Sequence, residues 1–283
     1  MTPKLLDEPA LRDHPLPPVV DGDKETKGRI LVVAGSRDVP GAALLSATAA
    51  MRAGAGKLQI ATVESVAVPL GVAMPEAMVL GLAEDAVGGF AVSAVGELSE
   101  QAQNVDAVVA GPGLARGEAC EALATALLKA ECRLALDAAL LHALQPTTSK
   151  QMPVLLPHAG ELASLLDCDE GEIEADPIGC GVRAARRYRA IVLVKGVDSH
   201  VVTPAGEAWK YCGGAPGLGV SGSGDVLAGI VGSLLARGAE PLIALLWAVW
   251  LHGEAGAALA RKVGPIGFLA REIADEIPAL LPR

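Results

Sequence analysis

A short glycine-rich segment that contains one acid, Ser221-Gly222-Ser223-Gly224-Asp225, precedes an apolar run with helical spacing. Glycines such as Gly222 and Gly224 let the backbone adopt conformations that few other residues reach, and the first N–H groups of a helix have no partner within the helix. Together with the positive end of the helix dipole, such amides attract phosphate. The segment therefore predicts a phosphate site formed by Gly222, Ser223 and Gly224.

Asp225 has two interpretations. A carboxylate is unfavourable beside phosphate, so its presence suggests that it handles a proton or a hydroxyl of a second substrate at the reacting phosphorus. It could instead cap the helix, a role worth about 1 kcal/mol. The segment alone leaves both interpretations open.

The elements that must position this segment alternate along the chain. Short β-rich runs and longer Ala-rich helical runs follow one another, which is typical of a mostly parallel sheet covered on both faces. Strands are predicted at RILVVAG, KLQIATV, DAVVAG, CRLALDA, MPVLLP and AIVLVKG, helices at residues 41–56, 121–130 and 177–189, an antiparallel hairpin at residues 201–212, and helices after Asp225.

The domain organisation follows from length and pattern. With 283 residues, the chain is long enough to bury the core of one large α/β domain, predicted here over residues 29–283. Residues 1–28 are rich in proline, and we expect them to form an arm or a short helix packed on that domain.

Composition restricts the partners. The net charge of −10 and the isoelectric point near 5.0 argue against an extended nucleic-acid surface, because phosphate backbones are bound mainly through Lys and Arg. The mean hydropathy is +0.41, but Gly, Pro or charges interrupt every long apolar stretch, and the first residues lack the apolar region of a signal peptide. We therefore expect a cytoplasmic protein that binds neither nucleic acid nor membrane.

The five cysteines are scattered and form no C-x-x-C pair, so neither a disulfide framework nor a metal site is predicted. We expect them to be small core residues. The chain also lacks the G-x-x-x-x-G-K-[ST] phosphate loop, and no G-x-G-x-x-G follows the first strand with an acid near the end of the second, so neither a Walker ATPase nor a standard Rossmann dehydrogenase is indicated.

Ligands of open α/β sheets bind at the carboxyl ends of the strands, and four predicted strands end there in glycine, proline or polar residues. These ends are AGSRDVPGAA, AGPGLA, PHAGE and KGVDS, and each alone is explained by a turn or a helix cap. His158 could cap a helix, Lys195 could mark a strand's exit to solvent, and Asp137 is interpreted as a cap or as a residue behind the site. His252 and Glu254 are interpreted as helix packing.

In this order the motifs resemble those of the ribokinase-like superfamily and, within it, the NAD(P)H-hydrate dehydratase family. The resemblance extends from about Lys24 to the C-terminus and includes AGPGLA, LALDAALLHAL, LLPHAGELASLL, IVLVKGVDSHVVTPAG, SGSGDVLAGIVGSLLARG and LHGEAGAALA. It implies a three-layer α/β/α sandwich with a mostly parallel central sheet.

The resemblance also implies an activity. Family members use ADP or ATP to dehydrate the (S)-hydrate of NADH or NADPH, a lyase reaction that repairs the nicotinamide cofactor, and Mg²⁺ is the expected metal ion. The implied partners are these small molecules, a separate epimerase chain and further copies of the chain, as a tetramer. Only about 28 residues precede the first predicted strand, so any epimerase is expected to be another chain.

Matching the motifs residue by residue assigns roles. Asp225 corresponds to the family's catalytic acid at the reacting hydroxyl, which also contacts the substrate. The implied nucleotide contacts are Lys195, Gly196, Val197, Asp198, Ser199 and Gly224, and the implied contacts to the hydrated dinucleotide are Ala42, Gly113 and His158.

Four departures from the family's usual loops, at Ala115, Ala215, Val220 and Ser221, bear on substrate fit and turnover. Two alternatives to the dehydratase therefore stay open. One is a ribokinase-like small-molecule kinase that phosphorylates a sugar or a vitamin precursor, and the other is a weakly active nucleotide-binding protein. The PHAGE segment favours the dehydratase, and the retained Asp225 argues against the weakly active protein.

Overall fold

A ten-stranded sheet forms the centre of the protein in a computed structural model, which describes residues 2–18, 24–146 and 149–282. The strands lie in the order β1-β10-β9-β8-β7-β6-β5-β2-β3-β4. Neighbouring strands from β8 to β4 in this order are parallel, whereas β9 is antiparallel to both of its neighbours. The strands are β1 (Lys4–Leu5), β2 (Arg29–Val33), β3 (Lys57–Val63), β4 (Ala77–Leu82), β5 (Ala107–Ala110), β6 (Arg133–Leu136), β7 (Val154–Leu155), β8 (Ile191–Val194), β9 (Ser199–Val202) and β10 (Ala208–Tyr211).

Helices connect the strands and cover both faces of the sheet. They are α1 (Glu8–Arg12), α2 (Gly41–Arg52), α3 (Glu64–Ala73), α4 (Val95–Ala102), α5 (Glu118–Lys129), α6 (Ala139–His142), α7 (Ala159–Leu166), α8 (Glu170–Ala175), α9 (Pro177–Tyr188), α10 (Ser223–Ala236), α11 (Pro241–Lys262) and α12 (Ala270–Leu280).

Side-chain alternation in the central strands produces two cores. Ile30 and Val32 of β2 pack on one face with α2, α10, α11 and α12, whereas Leu31 and Val33 pack on the other with α4, α5, α7 and α9. Because side chains of a strand point alternately to opposite faces, a run that is apolar at every position must be covered on both sides. The predicted three-layer α/β/α architecture with a mostly parallel sheet is confirmed.

The six predicted strands and the antiparallel hairpin are present, and the part of the chain after Asp225 is mainly helical. Two helix boundaries differ from the prediction. The helix predicted at 41–56 ends at Arg52, because Gly54 adopts a left-handed φ of 99°. The helix predicted at 121–130 begins three residues earlier, at Glu118.

The segment before β2 contacts the domain through two short elements. β1 adds to the sheet beside β10, and Leu6 and Leu11 are buried. The carbonyl of His14 accepts a hydrogen bond from Nε1 of Trp247 on α11 (2.7 Å). Residues 19–23 lie outside the described residues, and the domain boundary at residue 28 stays a prediction.

The cysteines are all free thiols, but they do not share one environment. Cys120, Cys132 and Cys180 are buried as predicted, whereas Cys168 is half-buried and Cys212 is exposed. The prediction was therefore wrong for Cys212, which follows β10 in a loop at the surface.

Helix α11 is long and apolar enough to cross a membrane by length and composition alone. Its residues Leu245, Leu246 and Leu251 are fully buried against the sheet and α10, and most of its apolar window lies inside the protein. The apolar character of α11 is therefore explained by its position in the core.

The close approach of α2 and α10 gives a stability prediction. A β-carbon on Gly229 would lie 2.1 Å from the carbonyl oxygen of Ser46, so Gly229→Ala must push the two helices apart. We expect a loss of about 1–3 kcal/mol in the free energy of unfolding, measured in urea. Gly96→Ala in α4 is the control, because its β-carbon meets nothing within 4 Å and alanine favours a helix. Equal stability of the two variants would contradict the packing described here.

Candidate active site

The carboxyl ends of five neighbouring parallel strands meet at one edge of the sheet. β2, β5, β6, β7 and β8 lie side by side, and the polar and glycine-rich segments identified in the sequence follow them directly. The first turn of α10 lies at the same edge, because a β-carbon on Gly224 would be 3.7 Å from Nζ of Lys195 and 3.9 Å from Oδ2 of Asp137. The site is therefore assembled from segments that are distant in sequence.

Helix α10 begins without a side-chain cap. Gly222 is its N-cap residue and has a φ of 89°, and a β-carbon there would lie 2.5 Å from Cδ1 of Leu45. Both observations require glycine at this position. The first amides of α10 therefore face the edge free of any capping side chain, which is the arrangement that favours an anion.

Asp225 is the third residue of α10, so it is not the N-cap. Within the described residues its carboxylate accepts no hydrogen bond, and Ser46 Oγ donates instead to its backbone carbonyl (2.9 Å). This geometry decides against the capping interpretation. Burial and, to a smaller extent, the nearby Asp137 carboxylate raise the pKa of Asp225 to about 6, and the Lys195 ammonium opposes this rise. At neutral pH the group is mostly ionised and able to accept a proton.

Lys195 and Asp137 form a nearly buried ion pair. Nζ of Lys195 lies 2.9 Å from Oδ1 of Asp137, and the two side chains are 21% and 5% exposed. The Asp137 carboxylate also accepts the N–H of Ala138 (2.9 Å). Burial raises the pKa of Asp137, and Lys195 works against that rise. The sequence predicts Asp137 as a cap or as a residue behind the site, whereas the structure places its carboxylate beside Lys195 and the first turn of α10.

His252 of α11 contacts the first residue of α10. Its Nε2 lies 3.0 Å from Oγ and 3.1 Å from the carbonyl oxygen of Ser223. Burial lowers the pKa of His252 to about 4, so the ring is neutral at physiological pH. The sequence predicts His252 only as a packing residue. The contact with Ser223 could not be predicted, because 29 residues separate the two partners. Glu254 accepts a hydrogen bond from the Tyr211 hydroxyl (2.9 Å) and lies outside this contact.

The predicted nucleotide residues fall into two groups. Gly222, Ser223 and Gly224 lie at the start of α10, whereas residues 195–199 form the turn from β8 into β9. Val197 is fully exposed at the tip of this turn, and Asp198 forms an ion pair with Lys210 (2.7 Å). The two groups meet where the Lys195 ammonium lies next to Gly224.

The residues predicted to contact a hydrated dinucleotide occupy two places on the edge. Ala42 and Gly113 are adjacent, since a β-carbon on Gly113 would lie 2.5 Å from that of Ala42, and Gly113 has a φ of 64°. Ala42 is one helical turn from Ser46, which contacts Asp225. His158 pairs with Lys195 by an isolated β-bridge.

His158 is the N-cap residue of α7. Its Nδ1 accepts the N–H groups of Gly160 (3.1 Å) and Glu161 (3.4 Å), and Glu161 accepts the N–H of His158 in return. The capping role considered from the sequence is therefore present. The ring is still 60% exposed, so its other face remains accessible at the edge.

Three of the four departures from the family's loops lie shortly before α10, and the fourth, Ala115, lies in the turn between β5 and α5. Ala215 and Val220 are half-buried against the core on the α10 side of the sheet, whereas Ser221 is exposed. Ala115 packs close to Gly89, since a β-carbon on Gly89 would lie 3.0 Å from the β-carbon of Ala115. Among the described residues, none of the four forms a hydrogen bond or an ion pair with Asp225, Asp137 or Lys195.

The described residues contain no group of three or more His, Cys, Asp or Glu side chains arranged to hold a metal ion. Two carboxylates, Asp137 and Asp225, lie beside the predicted phosphate position. Mg²⁺ is commonly held by one or two carboxylates together with substrate phosphates, so these residues fit an ion that arrives with a nucleotide.

A mostly parallel sheet, a glycine-rich turn and an uncapped helix start beside an unpaired carboxylate define a ribokinase-like α/β protein. A family model described as NAD(P)H-hydrate dehydratase matches residues 30–279. The chain belongs to the NAD(P)H-hydrate dehydratase family.

Individual relatives agree with this assignment. The chain is 47% identical over 275 residues to an ADP-dependent (S)-NAD(P)H-hydrate dehydratase of Xanthomonas campestris, which covers 97% of this chain and 94% of the relative. A bifunctional NAD(P)H-hydrate repair enzyme of Moorella thermoacetica is 35% identical over 266 residues, and there the chain spans half of the relative's length.

Among solved structures, the Bacillus subtilis ADP/ATP-dependent NAD(P)H-hydrate dehydratase co-crystallised with ATP and Mg²⁺ superposes with a TM-score of 0.87. It is 27% identical and covers 99% of this chain and 98% of its own.

The electrostatics of the site give a prediction about the titration of Asp225. Its carboxyl pKa should be near 6, and Asp137→Asn should lower it, because the substitution removes a negative charge and frees the Lys195 ammonium. NMR titration of the Asp225 side-chain carbon in both proteins measures the shift. An unchanged or raised pKa in the variant would show that Asp137 does not act on Asp225.

Proposed function

We propose that this protein uses ADP or ATP to dehydrate the (S)-hydrates of NADH and NADPH, and thereby repairs the nicotinamide cofactor. The proposal is carried by one observation, the unpaired Asp225 carboxylate at the uncapped start of α10, in a chain that belongs to this dehydratase family. The names of the Xanthomonas campestris and Bacillus subtilis relatives support the nucleotide dependence.

The reaction needs a better leaving group than hydroxide. Transfer of the terminal phosphoryl group of ADP or ATP to the C6 hydroxyl converts that oxygen into a phosphate ester and releases AMP or ADP. The lone pair of the ring nitrogen then expels phosphate as the C6–O bond breaks, and loss of a proton from C5 restores the ring double bond. Each turnover consumes one nucleotide and releases one phosphate.

Asp225 would take the proton of the C6 hydroxyl as the phosphoryl group is transferred. A pKa of about 6 leaves the carboxylate ionised at neutral pH while keeping its basicity above that of an exposed aspartate. The amides of Gly222, Ser223 and Gly224 would hold the nucleotide phosphate, and the Lys195 ammonium would neutralise charge on the same group.

The turn formed by residues 196–199 would contact the rest of the nucleotide, as the family resemblance implies. Ala42, Gly113 and His158 would line the position of the hydrated dinucleotide. His158 would keep its role as the cap of α7 while its exposed face contacts the substrate.

Mg²⁺ would be held chiefly by the nucleotide phosphates, with Asp225 and Asp137 as carboxylates beside the predicted phosphate position. When bound, the ion would supply positive charge that balances the polyphosphate. The Bacillus subtilis neighbour was co-crystallised with ATP and Mg²⁺, which supports this expectation.

The cellular setting is part of the proposal. We expect a cytoplasmic enzyme that assembles as a homo-oligomer, a tetramer by family resemblance. Bifunctional repair enzymes among the relatives support a functional link to an epimerase, which this proposal places on a separate chain.

An activity assay with Asp225→Asn tests the function. With Mg²⁺ and ADP or ATP, the parent protein should restore the near-ultraviolet absorbance of reduced nicotinamide from either (S)-hydrate and release one phosphate per cofactor. The variant should lose about 100- to 10,000-fold in turnover, the usual worth of a general base. A variant within a few-fold of the parent would remove Asp225 from the reaction.

Controls separate this function from the alternatives. Calorimetry should show that the parent and Asp225→Asn bind ADP with similar affinity. A parent that binds ADP but leaves the absorbance flat with both hydrates and both nucleotides is not a dehydratase. ATP consumption with a sugar or vitamin precursor in the same assay would identify a kinase instead.

The phosphate position is tested with Gly224→Val. A β-carbon at this position would lie 3.7 Å from Nζ of Lys195 and 3.9 Å from Oδ2 of Asp137, so the valine side chain fits the protein but occupies the space that the phosphate needs. Calorimetry should therefore show much weaker ADP binding, while the thermal midpoint without nucleotide changes little. Gly96→Val, on an open face of α4, is the control. Unchanged ADP affinity in Gly224→Val would place the phosphate elsewhere.

A further inference from the structure

A cation at the carboxyl edge has no part in the chemistry described so far. Arg116 follows Gly113 by three residues, in the turn between β5 and α5, and its side chain is exposed. Its Nη2 lies 2.6 Å from Nε2 of His142, the last residue of α6. The turn after β5 and the segment after β6 are thus joined by a side-chain contact next to the predicted dinucleotide position.

The tautomer of His142 follows from its two contacts. Burial lowers the pKa of His142, and the Arg116 charge lowers it further, so the ring is neutral at physiological pH. Nε2 can then accept from Arg116 only if Nδ1 carries the hydrogen, and Nδ1 lies 3.2 Å from Oγ of Ser164, which can accept it. His142 therefore orients the guanidinium without neutralising its charge.

Within the part of the chain that the structure describes, Arg116 forms no ion pair with an acid. Other cations of this edge are each paired, namely Arg37 with Glu84, Lys195 with Asp137 and Lys210 with Asp198. Within the described residues, no carboxylate oxygen lies within 4.0 Å of Arg116. A guanidinium carries five N–H donors in a planar fork, and the contact to His142 uses part of that fork. In a chain with a net charge of −10, such a cation is available to an anionic ligand.

The surroundings of Arg116 connect it to the dinucleotide side of the site. Glu161 and His158 both act electrostatically on His142, and His158 Nε2 lies 3.3 Å from Oε1 of Glu161. Arg116 and His158 are therefore both close to His142, and Arg116 follows β5, whereas the Lys210–Asp198 pair lies next to β8 at the other side of this edge.

Resting on the proposed function, we propose that Arg116, oriented by His142, binds a phosphate group of the hydrated dinucleotide. A guanidinium fork matches the oxygens of a phosphate, and the hydrates of both NADH and NADPH carry a pyrophosphate. The hydrate of NADPH carries a further phosphate on its ribose, so the same chemistry could come from either group. In the second case Arg116 determines which cofactor is repaired preferentially.

Steady-state kinetics with Arg116→Gln test the proposal, with ADP saturating and each hydrate varied in turn. The KM for the hydrate should rise about tenfold and kcat should change little, because the lost charge-assisted hydrogen bonds act on binding. A rise for the NADPH hydrate alone supports contact with the ribose phosphate, and equal rises for both hydrates support contact with the pyrophosphate. Arg116→Lys should recover part of the loss, since it keeps the charge without the fork.

Lys129→Gln is the matched control. It removes one positive charge at the far end of α5, about 16 Å from the helix start along its axis, and should leave both KM values unchanged. Unchanged KM values for both hydrates in Arg116→Gln would overturn the proposal. A rise in the KM for ADP with no change for the hydrates would also overturn it, by assigning Arg116 to the nucleotide. If the parent protein repairs neither hydrate, the proposed function is wrong. The assay of the parent protein shows this independently of the Arg116 variants.

Discussion

The ion pair between Lys195 and Asp137 is the interaction on which the arrangement of the site depends. It joins the ends of β8 and β6 across β7 and lies against the first turn of α10. Loss of either partner would leave a nearly buried charge without compensation, which is costly at low dielectric. The pair also leaves Asp225 as an acid without an ionic partner, and Asp137 contributes to its raised pKa. One contact therefore supports both the position and the basicity of the candidate catalytic group.

Much of the fold could be predicted because its signals are local. A run such as Arg29–Val33, apolar at nearly every position, indicates a strand covered on both faces, and the structure confirms it. β4 was not predicted, since this edge strand is only partly buried and contains Gly81. The end of α2 at Arg52 was also missed, because the alanines beyond it continue the helical pattern and only the left-handed backbone at Gly54 stops it.

The site was less predictable than the fold, because its contacts depend on strand order. The glycines and Asp225 are contiguous and could be identified together as a phosphate-binding helix start. Asp137 and Lys195 are 58 residues apart, and nothing in either segment indicates that one strand separates them. The contacts of His252 and Arg116 could not be predicted for a related reason, since their partners Ser223 and His142 come from other elements. Roles assigned to individual residues from the family resemblance stay predictions.

Gly222 has a consequence for the thermodynamics of binding. Its left-handed conformation and its contact with Leu45 fix the turn before α10, while Ser46 and His252 hold the first residues of the helix. The conformational entropy of this turn is therefore lost when the chain folds, not when a ligand arrives. Affinity for phosphate is linked in this way to the packing of α2 against α10. If a change loosens the packing of these helices, even far from the ligand, part of the turn's conformational entropy is lost only when the ligand binds. The affinity for phosphate then falls.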